Sequence, residues 1–146
     1  MSTEQNETGH ASTEHRVVNP SSLPKPSGYA HAVQAGDTVY LGGQTALDID
    51  MNIVPGGIVE QFRQAFANVL TSLAEAGGEP RDLVSVTIYL TDVDDYMAHG
   101  REIGRIWRSM AGSDYPAMAG IGVSRLWQTD ALIEIQGVAV IPPSRA

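Results

Sequence analysis

Residues 131–141, ALIEIQGVAVI, read as a β-strand that is apolar on both faces. Side chains alternate across a strand, so Ile133, Ile135 and Ile141 share one face while Leu132, Val138 and Val140 share the other. Pro142-Pro143 ends the run, because proline has no N–H to give a sheet ladder. Such a strand belongs in a sheet whose two faces are both covered.

Upstream, AMAGIGVSRL over 117–126 reads as a glycine-broken strand. A half-buried strand covers 83–90, with Val84, Val86, Ile88 and Leu90 on one face and Ser85, Thr87 and Tyr89 on the other. Between them lies one helix, with Tyr96, Ile103, Trp107 and Met110 on one face and Arg101, Arg105 and Arg108 opposite. Asp92, Asp94 and Asp95 precede it, where carboxylates cap a helix and complement its dipole; a divalent-cation site is the alternative.

Earlier, Ile58, Phe62, Phe66, Val69 and Leu73 recur every three or four residues as the stripe of an amphipathic helix, stopped by Gly77-Gly78 and Pro80. Before it, YAHAVQ from Tyr29, the turn Gly36-Asp37 and TVYLGG read as a hairpin. Gly42-Gly43 marks a bulge or a close approach to the backbone. Residues 45–57 read as a loop punctuated by Pro55-Gly56-Gly57.

The order β-β-α-β-α-β-β is an α+β layout, a mixed sheet of five to six strands with two helices on one face. Two helices cover one face and leave the other apolar side of 131–141 open. Self-association is the expected cover. The domain is expected over 28–143, after a flexible polar arm over 1–27 that has too few apolar residues to pack. His10 and His15 lie among Glu7 and Glu14 in that arm, where tail composition is favoured over a metal site.

Length and composition bound the rest. The chain has 146 residues, 42% hydrophobic and 18% charged, which is ordinary for one globular domain. No apolar run reaches the roughly 18 residues of a membrane span, and MSTEQNETGHASTEHR has no basic start or apolar block of a secretory signal. Cysteine is absent, which excludes disulfides and thiolate chemistry and suits the cytoplasm. The formal net charge is −8, and residues 29–141 hold 14 acidic against 6 basic side chains. Such a balance keeps a protein soluble and disfavours nucleic acid as partner.

Glu134 carries the most chemical information. It stands in an otherwise apolar strand, where a carboxylate tends to a raised pKa suited to general acid or base work; a buried structural glutamate is the alternative. Tyr29 offers a hydroxyl or simply packs, and Gly42-Gly43-Gln44 offers backbone N–H groups to an anion or carbonyl. His99 and Glu102 sit one turn apart without a further ligand motif, and read as a surface pair rather than a metal site. No phosphate-cradling or dinucleotide glycine motif is present.

Taken together, SGYAHAVQAGDTVYLGGQ, EQFRQAFANVLTSLAEAGG, DLVSVTIYLTDVDDY, YPAM and ALIEIQGVAV resemble, in order, the Rid family (YjgF/L-PSP, reactive-intermediate deaminases) over about residues 28–141. The resemblance implies a chorismate-mutase-like fold and a homotrimer whose sheets form a central barrel, with small-molecule clefts between subunits. It implies hydrolysis of imines and enamines to a 2-keto acid and ammonia, without metal or cofactor. It puts a glutamate and a tyrosine, here Glu134 and Tyr29, in catalytic positions, and Gly43 and Gln44 at the ligand.

One position departs from the family pattern. The arginine that forks onto a substrate carboxylate is here Met118, in Pro116-Ala117-Met118. Losing such a contact costs about 2–5 kcal/mol of substrate stabilisation. Either another arginine enters the cleft, with Arg101 or Arg105 ahead of Arg125, or Met118 shapes an apolar pocket with Trp107 or Trp127. The expected ligand-binding set is therefore Gly43, Gln44, Met118, Arg101 and Trp107. An atypical imine hydrolase is the leading reading, a non-catalytic binding trimer the second, and a ribonuclease or translation inhibitor the third.

Overall fold

Ile133 and Ile135 are fully buried in the middle of a six-stranded sheet, in a computed structural model that describes residues 14–145. The strands are β1 (Arg16–Val18), β2 (Ala32–Ala35), β3 (Thr38–Gln44), β4 (Leu83–Leu90), β5 (Ala117–Gly122) and β6 (Ile133–Val140). Their spatial order is β1-β2-β3-β6-β4-β5, with β4 and β5 parallel and every other pair antiparallel. The helices are α1 (Ile58–Glu75), α2 (Val93–Ala98) and α3 (Gly100–Ala111).

Helix α1 buries its whole predicted stripe, Ile58, Phe62, Phe66, Val69 and Leu73. Its N-terminus is closed by Glu60, whose carboxylate accepts the Gly57 N–H at 2.9 Å. Its C-terminus turns through Gly77 at φ +93, and the Gly78 N–H returns to Leu73 O at 2.9 Å. Helix α3 lies beside it, with Trp107 stacked on Phe66 at 4.3 Å between ring centroids. Ile103, Ile106 and Trp107 join the same core as Ile133 and Ile135.

Pairing registers sort the sheet into two faces. Val18, Ala32, Leu41, Gly137, Val86 and Met118 form one row across all six strands, on the helix-bearing side. The adjacent row, Val17, Val33, Tyr40, Val138, Ser85 and Ala117, points to the other side, which no helix among the described residues covers. Val17 and Tyr40 are both more than half exposed there. The apolar second face of 131–141 is thus a property of the whole sheet.

Four expectations need correction. First, residues 16–27 are not an unpacked arm: β1 pairs with β2, and Val18 and Leu23 are buried. The polar composition hid two anchors, Asn19 accepting the His31 N–H at 2.8 Å and Pro24 O bonded to the His31 ring at 2.7 Å. Residues 1–13, including Glu7 and His10, lie outside the described residues. Second, the first hairpin strand starts at Ala32 rather than Tyr29, after Gly28 turns the chain at φ +80.

Third, the helix after Asp92 is two helices. His99 places its own Nδ1 2.8 Å from Asp95 O, the carbonyl that a continuous helix would give to the His99 N–H. Gly100, a poor helix-interior residue, starts α3 instead. Asp92 caps α2 as expected, accepting the Asp95 N–H at 3.0 Å. Fourth, β5 stops at Gly122, because β4 ends at Leu90; the Val123 N–H takes Leu90 O and the chain leaves the edge.

Candidate functional site

Glu134 leaves β6 on the uncovered side, between two core isoleucines that point the other way. Opposite it across β6–β4 stands Tyr89. On the β3 side the carboxylate packs onto Gly43, filling the space where a β-carbon would stand. The ladder between β3 and β6 shifts register between Leu41 and Gln44, so Gly42-Gly43 is both a bulge and a close approach. No side chain donates a hydrogen bond to Glu134 among the described residues. Half-burial raises its pKa, because desolvation disfavours the carboxylate.

The Glu134 groove has a volume of about 600 Å³ and is otherwise lined by Arg125, Leu126 and Trp127, from the loop between β5 and β6. The sequence puts Arg101 and Arg105 ahead of Arg125 as cleft candidates; within this chain it is Arg125 that lines the groove with Glu134. Both rival arginines sit on the exposed side of α3, on the sheet face opposite Glu134. A tryptophan in a polar loop, with no core stripe to join, was the available signal.

The remaining candidates divide between the two sides of the sheet. Met118 ends the helix-side row, 44% exposed on the edge strand, and cannot meet Glu134 of its own chain. Trp107 is core rather than cleft: it stacks on Phe66 and is 5% exposed. Gln44 is 7% exposed and its amide lies 3.0 Å from His31 Nδ1, so it fastens the fold rather than facing a ligand. Pro24 O can only accept, which sets the proton on His31 Nε2 and leaves Nδ1 to accept from Gln44. Tyr29 is exposed and rests edge-on against His31 at 5.6 Å, in no hydrogen-bond contact with Glu134.

A second cavity, about 310 Å³, lies on the helix side among Glu60, Asp95, His99 and Glu102. The backbone carbonyl of Asp95 raises the His99 pKa, helped by the neighbouring carboxylates. Among the described residues no group of three or more His, Asp or Glu side chains is arranged to hold a metal.

The family model described as Endoribonuclease L-PSP matches residues 21–141, nearly all of the described chain. The chain belongs to that family. Among its L-PSP relatives, a RutC family protein of Pyrococcus abyssi is 34% identical over 125 residues, covering 84% of this chain and 94% of the relative. A 2-iminobutanoate/2-iminopropanoate deaminase of Dermatophagoides farinae is 33% identical over 128 residues, covering 86% and 96%.

Solved L-PSP structures share the fold. The YjgF gene product of E. coli superposes with a TM-score of 0.77 at 25% identity, over 86% of this chain and 98% of that one. Yeast Mmf1 gives 0.77 at 27% identity, over 88% and 100%. The YjgF/L-PSP α+β fold read from the motifs is therefore the fold of this chain. No helix among the described residues is long and apolar enough to cross a membrane.

Proposed function

We propose that this L-PSP protein hydrolyses small imines or enamines in clefts between the subunits of a cytoplasmic homotrimer, with Glu134 as the proton-transferring group. Water adds to the carbon of C=N while Glu134 takes its proton. The proton returns to nitrogen to complete the carbinolamine; Glu134 then carries the hydroxyl proton to the amine, the C–N bond breaks as the C=O bond forms, and a ketone and ammonia leave. Tyr29 and the Gly43 backbone hold the ligand; no metal or cofactor enters.

The observation that carries this reading is Glu134 itself. It is a half-buried carboxylate with a raised pKa, without a hydrogen-bond partner among the described residues, facing a groove of small-molecule size. The deaminase name of the D. farinae relative supports the reaction class. The uncovered apolar row supports association, and the split of Met118 and Glu134 between opposite sheet faces supports a cleft completed by a second copy.

Purified protein should release ammonia from 2-iminopropanoate, or from an uncharged imine, faster than buffer, and Glu134→Gln should lose that acceleration. Absence of turnover on both would remove the hydrolase reading. Met118 favours the second reading, a binding trimer without turnover. Thermal stabilisation by a metabolite recovered unchanged would establish it.

A further inference from the structure

We propose that Arg125 and Trp127 form the recognition arm of the Glu134 groove, selecting a small carboxylate that carries an aromatic or other bulky apolar group. The proposal deepens the hydrolase reading, on which it rests for the identity of the reacting carbon; its binding claim is tested separately.

Arg125 and Glu134 share one groove with opposite charges and form no ion pair. The one hydrogen bond Arg125 makes among the described residues runs from Nε to Leu126 O at 3.2 Å. That contact aligns the guanidinium and leaves its terminal nitrogens open. A planar pair of N–H donors facing a groove matches a carboxylate in two parallel bonds.

Trp127 is 87% exposed, the most exposed large apolar side chain of the described chain. Its surroundings are fastened all the same. Thr45 donates to Gln128 Oε1 at 2.7 Å, next in sequence to the indole. The Ala131 N–H closes a turn onto Gln128 O at 3.1 Å. Gln61, buried in α1, clamps the far end through Asp130 O at 3.1 Å and the Leu132 N–H at 2.8 Å. A large indole held out on a tethered loop is a stacking platform.

Three chemistries therefore meet in one place. A guanidinium takes a carboxylate, an indole with Leu126 takes an apolar group, and Glu134 faces the remaining side. A 2-imino acid with an aromatic or large aliphatic side chain satisfies all three. A ligand with a methyl side chain leaves the indole uncovered.

Calorimetric titration of the full chain with phenylacetate, phenylacetamide and acetate tests this. Phenylacetate should bind about tenfold tighter than either of the others, one strong contact being worth about that factor. Arg125→Gln should make phenylacetate and phenylacetamide equal, and Trp127→Ala should make phenylacetate and acetate equal. Glu134→Gln should keep the wild-type order; absence of imine turnover by the wild type with this binding pattern intact would sink the hydrolase reading and leave the recognition arm standing. Equal binding of phenylacetate and phenylacetamide by the wild type overturns the proposal, as does either arm variant keeping the wild-type order. Fluorescence adds a second check, since Trp107 is already buried: indole emission wholly of the buried kind and unmoved by phenylacetate would show Trp127 covered by another copy, overturning it too.

Discussion

The carboxylate of Glu134 stands in the space that a β-carbon on Gly43 would need. A β-carbon there would meet the movable end of a side chain rather than backbone, so the carboxylate would have to swing aside. Gly43→Ala should therefore destabilise the fold by only about 1 kcal/mol, the low end of overpacking costs. In a Glu134→Ala background that cost should largely vanish. Chemical denaturation of the four proteins of this cycle reads the coupling; an equal cost in both backgrounds would show that the two residues do not compete for space.

Burial raises the pKa of Glu134 above its value in the unfolded chain. Between those two values the folded state holds the extra proton. Stability on this account is fullest below the unfolded pKa and falls as pH rises through the folded one. Glu134→Gln should flatten that decline and be neutral or stabilising at neutral pH. Urea melts at a series of pH values check it, and a decline as steep in the variant would assign the effect elsewhere.

His31 joins the segment before β2 to the end of β3, through Pro24 O and the Gln44 amide. His31→Ala leaves both groups buried without that partner. The expected loss is about 2–3 kcal/mol, from the desolvation cost of unpaired polar groups. A change in the denaturation midpoint at constant slope would report it.

Trp107 has its indole N–H buried without an acceptor among the described residues. Trp107→Phe removes that unpaired donor while keeping a ring against Phe66, so its net cost should stay within about 1 kcal/mol. Phe66→Ala, which opens a cavity beneath the stack, should cost about 3–5 kcal/mol. Thermal melts of both variants give the comparison. A larger loss from Trp107→Phe would point to an acceptor for the indole in the assembled protein.

Tyr40 and Val138 face each other in the uncovered row of the sheet. If a second copy covers this row, Val138→Asp should release monomers by placing a charge where an apolar interface forms. Sedimentation equilibrium should give trimer for the wild type. Monomeric wild type would leave the apolar row without the proposed cover.

Periodicity made α1 legible because all five stripe residues face one core, and local spacing encodes that directly. The break at His99 was not legible, since it depends on a ring nitrogen taking over a backbone acceptor. Strand β1 was missed for a related reason: three residues on an edge carry too few side chains to show a period. The site divided in the same way. Glu134 announced itself as a charge in an apolar strand, and Gly43 as a glycine pair at a strand end. Arg125 lies nine residues from Glu134 in sequence, with nothing in the intervening loop to say that it folds back.

The sequence alone determined the α+β class, the two-faced last strand and the family, because each is written in local alternation, spacing and motif. Only the tertiary structure decided which side of the sheet each candidate occupies. Pairing register put Met118 in the helix-side row, away from Glu134. Packing drew Trp107 into the core, and the tethered loop brought Arg125 and Trp127 to the carboxylate. The physical reason is that a one-residue change of register turns a side chain to the other face. Register is set by contacts among strands far apart in the chain.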